Sequence, residues 1–378
     1  MNINSHDLVT LHKNVNREVG KEIFWDGLFA NNDIEIMNSL EKLIKENILI
    51  KTDQFDISIH KKKVTELKEV LKDSNFKTTG NKQVLINRIS ENFDSIGNLD
   101  LPYVYVTTKK GEGILKDTKY LLSFISNSTS VARAYYLAEN YIDKNCEDKV
   151  AEIYKFEFQR NYENGDFKIN SMYSYELTSL IWHYEHETQD YDNARKYLNI
   201  FLYFNFKNFL DDLTNSRYPY YDDKGNLILD KIQDKLINMI SSHYDRIFER
   251  LILIEKLSNE TMFEMFKNDT QKYNDLEDEL IENLINYIVF VVKKENDTNT
   301  FMKLVETLKN GYTLNKDEFE DEYDYYSNFI TTNISTLKDM DSQLEVEIDI
   351  RNGKINFFLD DDSLGELIKV SNISTNEL

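Results

Sequence analysis

The chain has 378 residues, with 67 Asp and Glu against 45 Lys and Arg and a formal net charge of −22. Acidity on that scale excludes general polyanion binding, so any contact with phosphate must be confined to a locally basic stretch. Only two prolines and 11 glycines occur, which favours helices, and an aromatic content of 13% argues against wholesale disorder.

Cys146 stands alone, which rules out an intrachain disulfide or a cysteine-based zinc site and suits a reducing, cytoplasmic setting. The start, MNINSHDLVTLHKN, has no apolar signal core. The most apolar run, Leu284 to Val292, is interrupted by Asn286 and falls short of the about 20 residues that span a bilayer, so no membrane contact is expected. The bias toward Asn, Ile, Lys and Tyr suggests an A·T-rich coding genome, as in a low-G·C Gram-positive bacterium or one of its phages.

In chain order, Ile23, Phe24, Trp25, Leu28 and Phe29 form a first apolar cluster. Asp33 caps a helix running to about Asn47, with Ile34, Met37, Leu40, Leu43 and Ile44 inward. Ile48 to Ile50 reads as a short strand. Lys61 to Asn92 then reads as two short amphipathic helices around a tight connector. Val64, Leu67, Val70 and Leu71 recur at three and four residues, as do Leu85, Ile86 and Ile89. Phe76 plugs the space between the helices. Asn75 and Gly80 supply left-handed backbone at the end of the first helix and before the second. The outward positions are basic: Lys61, Lys62, Lys63, Lys68, Lys72, Lys77, Lys82 and Arg88 outnumber the acidic residues of the stretch.

This stretch resembles the SAP domain, a helix-extended-loop-helix module. The carriers are Val64-x-x-Leu67-Lys68-x-x-Leu71, then Gly80-x-Lys82-x-x-Leu85-Ile86-x-Arg88-Ile89. Where the family usually has Gly-Leu in the connector, this chain has Asn75-Phe76. The resemblance covers about a tenth of the chain. It implies binding of A·T-rich duplex DNA, although some members bind RNA or proteins. The start of the second helix, at Gly80, Asn81 and Lys82, offers unpaired N–H groups to phosphate. Lys77 adds charge from the preceding loop, Lys61, Lys62 and Lys63 from a flexible lead, and Lys68 from the first helix. Arg88 either faces the groove or braces the hairpin. Contacts mainly to phosphate would make the binding weak and salt-dependent.

Tyr103 to Val106 reads as a second strand, followed by TTKKGEGILK. Helix, strand and this second strand resemble winged-helix fragments with the SAP-like module inserted between them; a small α+β platform bracing the module is the alternative. Both place residues 1–122 in one N-terminal unit. Residues 123–343 read as an acidic helical domain, either an irregular bundle or a degenerate helical repeat. Helices are expected around Val131–Tyr141 and Val150–Phe156. Tyr175–His186 and Tyr191–Tyr203 form a pair around the turn ETQD, in which Asp190-Tyr191-x-x-Ala194-x-x-Tyr197 looks like the second helix of a tetratricopeptide repeat. Tyr218 to Asn226 reads as a loop or hairpin. A long helix is expected from Leu229 to Leu257, with Ile232, Leu236, Ile240, Ile247, Leu251 and Ile254 as its apolar stripe, and further helices near Leu276–Lys294, Thr300–Lys309 and Phe319–Leu337.

Residues 344–371 change period and read as a C-terminal β-hairpin packed on the helical domain. Leu344, Val346, Ile348 and Ile350 alternate, and Asn352-Gly353 suits a two-residue turn pairing Arg351 with Lys354, Ile350 with Ile355, Ile348 with Phe357 and Val346 with Leu359. From about Asn372 the tail looks frayed.

The fold class is thus mainly α, with a small N-terminal α+β unit. His183, His186 and Glu187 have helical ligand spacing but neither the zinc-protease order nor a third ligand. Asp222, Asp223 and Asn226 lack the spacing of a calcium loop. No phosphate-binding loop, dinucleotide fingerprint or nucleophile elbow occurs, so neither enzyme activity nor a cofactor is expected. Two functions fit. One is a DNA-associated adaptor that docks through the SAP-like module and recruits a protein through its acidic helices. The other is a protein-interaction scaffold or inhibitor, even a DNA mimic, that does not bind DNA.

Overall fold

The computed structural model describes residues 3–23, 33–97, 99–125, 129–164, 175–215, 219–222, 225–241, 245–295 and 298–313, and strands 345–349 and 354–358. The chain is mainly α and divides into two units, Met1–Arg160 and Asn161–Leu378.

The first unit begins with the helix Ser5–Asn14, closed at its start by a reciprocal cap. Asn4 Oδ1 accepts the Asp7 N–H, and the Asp7 carboxylate accepts the Asn4 N–H, each at 2.9 Å. Leu8, Val9 and Leu11 are buried, as are Ile36, Leu40 and Leu43 of the helix Asp33–Lys45, which packs against it. The buried Asp7 carboxylate also accepts from Ser39 Oγ at 2.7 Å and Lys42 Nζ at 2.5 Å, so its charge is compensated.

Strand Leu49–Thr52 pairs antiparallel with Val104–Thr107, Thr52 opposite Val104. Residues 53–103 therefore leave and re-enter at the same end of a two-stranded sheet, as an insertion between the strands. The helix Lys109–Thr118 closes this sheet tightly: a Cβ on Gly111 would lie 2.3 Å from the Ile48 carbonyl oxygen. Thr108 caps it, accepting the Gly111 N–H and donating to the Asn47 carbonyl at 2.7 Å.

The N-terminal unit extends further than the expected 122. The helix Val131–Asn140 packs against Ser5–Asn14, and Tyr154 of the helix Lys149–Glu163 meets Phe124 with ring centroids 5.0 Å apart. These contacts join residues distant in sequence, which periodicity alone does not reveal. Of the first apolar cluster, Phe24, Trp25, Leu28 and Phe29 lie outside the described residues.

The second unit is built on the helix Tyr191–Asn215. Leu198, Ile200, Phe201, Leu202, Tyr203, Phe204 and Phe206 are all buried, so the helix is covered on every side. Its neighbour Tyr175–Trp182 continues as a π-helical turn, His183–Thr188, and reverses at Gln189, whose φ is 56°. Ala194 is fully buried, as the close helix pair requires. Arg195 and Asn199 hold Asp269 of the helix Asn259–Thr270 at 3.2 and 2.8 Å, and Tyr203 donates to the Tyr273 carbonyl at 2.5 Å. The helices Asp278–Lys293 and Thr298–Gly311 pack together.

Two expectations for this unit need correction, the place of Ile254 and the register of the C-terminal hairpin. Of the expected helix Leu229–Leu257, Leu229–Ser241 and Asp245–Glu249 are described as α-helix, and the latter passes into a π turn, Arg250–Ile254. Ile254, expected on the apolar stripe, is 75% exposed, because the π turn rotates the end of the stripe outward. The helix Asn259–Thr270 had no sequence signal strong enough to read; only Met262, Phe266 and Thr270 are buried. In the C-terminal hairpin, Asp349 pairs with Lys354, Ile348 with Ile355 and Val346 with Phe357. This is a slip of two residues from the expected pairing, which makes the connection four residues long rather than two. An even slip preserves the alternation of faces, so the hydrophobic pattern does not choose between the two registers. The packing of this hairpin, the expected helix Phe319–Leu337 and the tail from Asn372 lie outside the described residues.

Charge is divided unevenly. Residues 1–160 hold 23 Lys and Arg against 24 Asp and Glu, while residues 161–378 hold 22 against 43. Among the described residues, no helix is long and apolar enough to cross a membrane.

Candidate nucleic-acid interface

The insertion between the two strands forms a small core of its own. Ile59, Leu67, Leu71, Leu85, Ile86 and Ile89 are buried together, ringed by Phe55, Val70, Phe76, Ile96, Leu99 and Leu101. Val64, expected on the inner face, is 37% exposed: it starts its helix, one turn short of the core.

The first helix, Val64–Asp73, starts at Lys63, whose backbone N–H donates to the Glu66 carboxylate at 2.5 Å. That bond, helped by the charges of Lys62 and Lys63, holds the Glu66 carboxyl below its usual range. The helix ends in a Schellman turn. Asn75 takes φ of 59°, the Asn75 N–H donates to the Lys72 carbonyl, and the Phe76 N–H donates to the Leu71 carbonyl at 2.7 Å. Phe76 then folds onto the core beside Leu71, which fixes the exit angle of the loop.

The second helix, Lys82–Glu91, is capped by Asn81, whose Oδ1 accepts the Val84 N–H at 3.0 Å. The backbone N–H groups at Lys82 and Gln83 remain at the open end of the helix, where they suit an anion. Gly80 precedes the cap with φ of 134°, and a Cβ there would come within 2.7 Å of Val84 Cγ1. Glycine alone satisfies both the dihedral and the approach.

Two of the expected binding residues are tied into the framework. Arg88 Nη1 donates to the carbonyls of Lys77 at 2.5 Å and Thr79 at 3.0 Å, so Arg88 braces the extended loop. Lys82 Nζ donates to the His60 carbonyl at 2.6 Å and is half-buried, so it links the second helix to the segment before the first. That segment is not a flexible lead: Phe55–Ser58 is a helical turn and Ile59–Lys61 a 3₁₀ turn, anchored by the buried Ile59. Lys61 and Lys62 are half-buried on it, while Lys63, Lys68 and Lys77 are exposed. The three bonds of these two side chains thus gather Lys61, Lys77, Gly80, Asn81, Lys82 and Arg88 around one helix start. Lys68 sits apart, on the exposed side of the first helix.

The histidine pair of the second unit does not converge. His183 is buried, with Nδ1 2.6 Å from Glu187 Oε2, while His186 is exposed and stacks on Trp182 at 5.4 Å. Among the described residues, no three His, Cys, Asp or Glu side chains gather to hold a metal ion.

Residues 58–94 match the family model of the SAP domain. The match begins before Lys61 and so takes in Ile59, the core residue of the preceding turn. This helical hairpin is a SAP domain, set between two paired strands of a larger, mainly α chain. No curated protein matches the chain.

Proposed function

We propose that the protein docks on duplex DNA through its SAP domain and engages a protein partner through its acidic helical unit. The observation that carries the DNA reading is the braced helix start. Arg88 fixes the Lys77–Thr79 loop against the second helix, so that Lys77 and the free N–H groups after Asn81 address the same phosphate strand. Such contacts read backbone rather than base edges, so binding is weak and tolerant of sequence. A preference for A·T-rich duplex comes from groove shape.

The charge division supports the second half of the reading. An excess of 43 acidic over 22 basic residues in residues 161–378 repels phosphate and suits a partner with a basic surface. The protein acts by binding rather than by catalysis, in a cytoplasmic setting. The test is retention of the full chain on A·T-rich duplex across a salt series, with a Lys63→Glu, Lys77→Glu variant as control. Loss of DNA retention by the variant, with capture of the same partner from a lysate, supports the division. Loss of both, or of neither, contradicts it.

A further inference from the structure

The second unit holds a polar pocket of about 210 Å³ where three of its helices meet. Asn259 opens the helix Asn259–Thr270, Asn283 and Asn286 lie one turn apart on Asp278–Lys293, and Thr300 and Lys303 come from the first two turns of Thr298–Gly311. Phe290 and Val289 supply its apolar wall. The pocket is smaller than a drug-sized site, so its ligand is one small molecule, about the size of a single sugar ring.

The polar groups here are only partly spent on one another. Asn259 Nδ2 donates to Asn286 Oδ1 at 2.5 Å, and Asn283 Nδ2 donates to Thr307 Oγ1 at 2.9 Å. The carbonyl oxygens of Asn259 and Asn283, the Asn286 amino group and the Thr300 hydroxyl have no bonding partner among the described residues. All three asparagines are half-buried, where a hydrogen bond is worth more than in open water.

The charge of the pocket runs against that of its unit. Acidic residues outnumber basic ones by 43 to 22 in residues 161–378, yet two lysines and one carboxylate line this pocket. Lys293 Nζ lies 4.0 Å from Glu295, whereas the Lys303 ammonium has no ion pair among the described residues. Asn259–Thr270 and Thr298–Gly311 both begin here and add their positive ends. Asp278–Lys293 ends here, but its Phe290 and Val291 carbonyls already accept from the Lys294 and Glu295 N–H groups.

These unspent groups select a class of ligand. Hydroxyls both donate and accept, so they answer the two amide carbonyls and the amino group together. A bare carboxylate or phosphate answers Lys303 but leaves those carbonyls without donors. An uncharged sugar answers the amides but leaves Lys303 without a counter-charge. A cation is repelled by the lysines. We propose that this pocket binds a small hydroxylated anion, a sugar acid or a sugar phosphate, with Lys303 on the acid group and Asn259, Asn283 and Asn286 on the hydroxyls. The site is separate from the SAP domain, and the proposal does not depend on DNA binding or on a protein partner.

The test is isothermal titration calorimetry of the full chain at low salt, with glucuronate, glucose 6-phosphate, glucose and inorganic phosphate as probes. At least one of the two sugar anions should bind with Kd of about 1 mM or below, and at least about tenfold more tightly than glucose or inorganic phosphate. The tighter of the two tells whether the acid group is a carboxylate or a phosphate. Lys303 is exposed, so Lys303→Gln should stay folded by circular dichroism. It should lose about tenfold in affinity for that sugar anion and leave glucose unchanged. A wild type that binds neither sugar anion overturns the proposal, whatever the variant does. So does equal wild-type affinity for glucose and the sugar anions, or for inorganic phosphate and glucose 6-phosphate. So does an unchanged sugar-anion affinity in folded Lys303→Gln.

Discussion

Arg88 donates to the backbone carbonyl of Lys77 at 2.5 Å, eleven residues back in the chain. The same nitrogen reaches Thr79. A residue that looks like a phosphate ligand therefore spends one guanidinium nitrogen on the loop that carries Lys77. A lysine keeps the charge, but its tetrahedral ammonium lacks the fixed plane that holds Nη1 against both carbonyls. Arg88→Lys should accordingly destabilise the domain by about 1 kcal/mol and weaken duplex binding without changing the slope of log affinity against log salt. A slope reduced by about one would instead mark Arg88 as a phosphate contact. Denaturant melts and a salt titration separate the two.

Gly80 is held by both its dihedral and its neighbour. With φ of 134° and Val84 Cγ1 at 2.7 Å from a notional Cβ, Gly80→Ala should cost roughly 1–3 kcal/mol. Adding Val84→Ala should recover part of that loss, because it removes the closest carbon while the dihedral strain remains. The measurement is chemical denaturation of the single and double variants. Full recovery would mean that crowding alone excludes a side chain here.

His12 gives the first unit a dependence on pH. Its Nε2 lies 3.0 Å from Thr118 Oγ1, linking the helices Ser5–Asn14 and Lys109–Thr118. Burial above all, with the charge of Lys119 and against the bond to Thr118, lowers its pKa from the ordinary 6.5. The unfolded chain then binds the proton more readily than the folded one. Stability from this residue is therefore full above pH 6.5 and lost as pH falls through the lowered folded value. The melting temperature should fall between pH 7 and pH 5, roughly the range over which an ordinary histidine titrates. His12→Gln, which stays neutral, should flatten that fall. An equal fall in the variant would assign the effect to other groups.

What the sequence made legible was local. The apolar stripes of the two SAP helices, the left-handed Asn75, the Phe76 plug and the need for Gly80 all follow from spacing and dihedral preference over a few residues. The hydrogen bonds of Lys82 to His60 and of Arg88 to Lys77 and Thr79 did not, because each joins a side chain to a carbonyl that no residue type announces. An exposed Lys82 was a fair expectation from its helix position; in the structure it is half-buried, so its replacement tests the fold as well as binding. The reach of the first unit to Arg160 was hidden for a related reason. It depends on Phe124 meeting Tyr154 and on Val131–Asn140 meeting Ser5–Asn14, pairings that periodicity does not specify. The hairpin register was ambiguous because a two-residue slip leaves the alternation unchanged.

The central claim is that the braced start of the second SAP helix binds duplex DNA through phosphate. Lys63 and Lys77 are both exposed, so a Lys63→Glu, Lys77→Glu variant should remain folded by circular dichroism. The decisive measurement is affinity for A·T-rich duplex as a function of salt, full-length wild type against this variant. The account predicts wild-type binding that falls steeply with salt and a folded variant that does not bind. Equal affinity of the two at every salt concentration would contradict it.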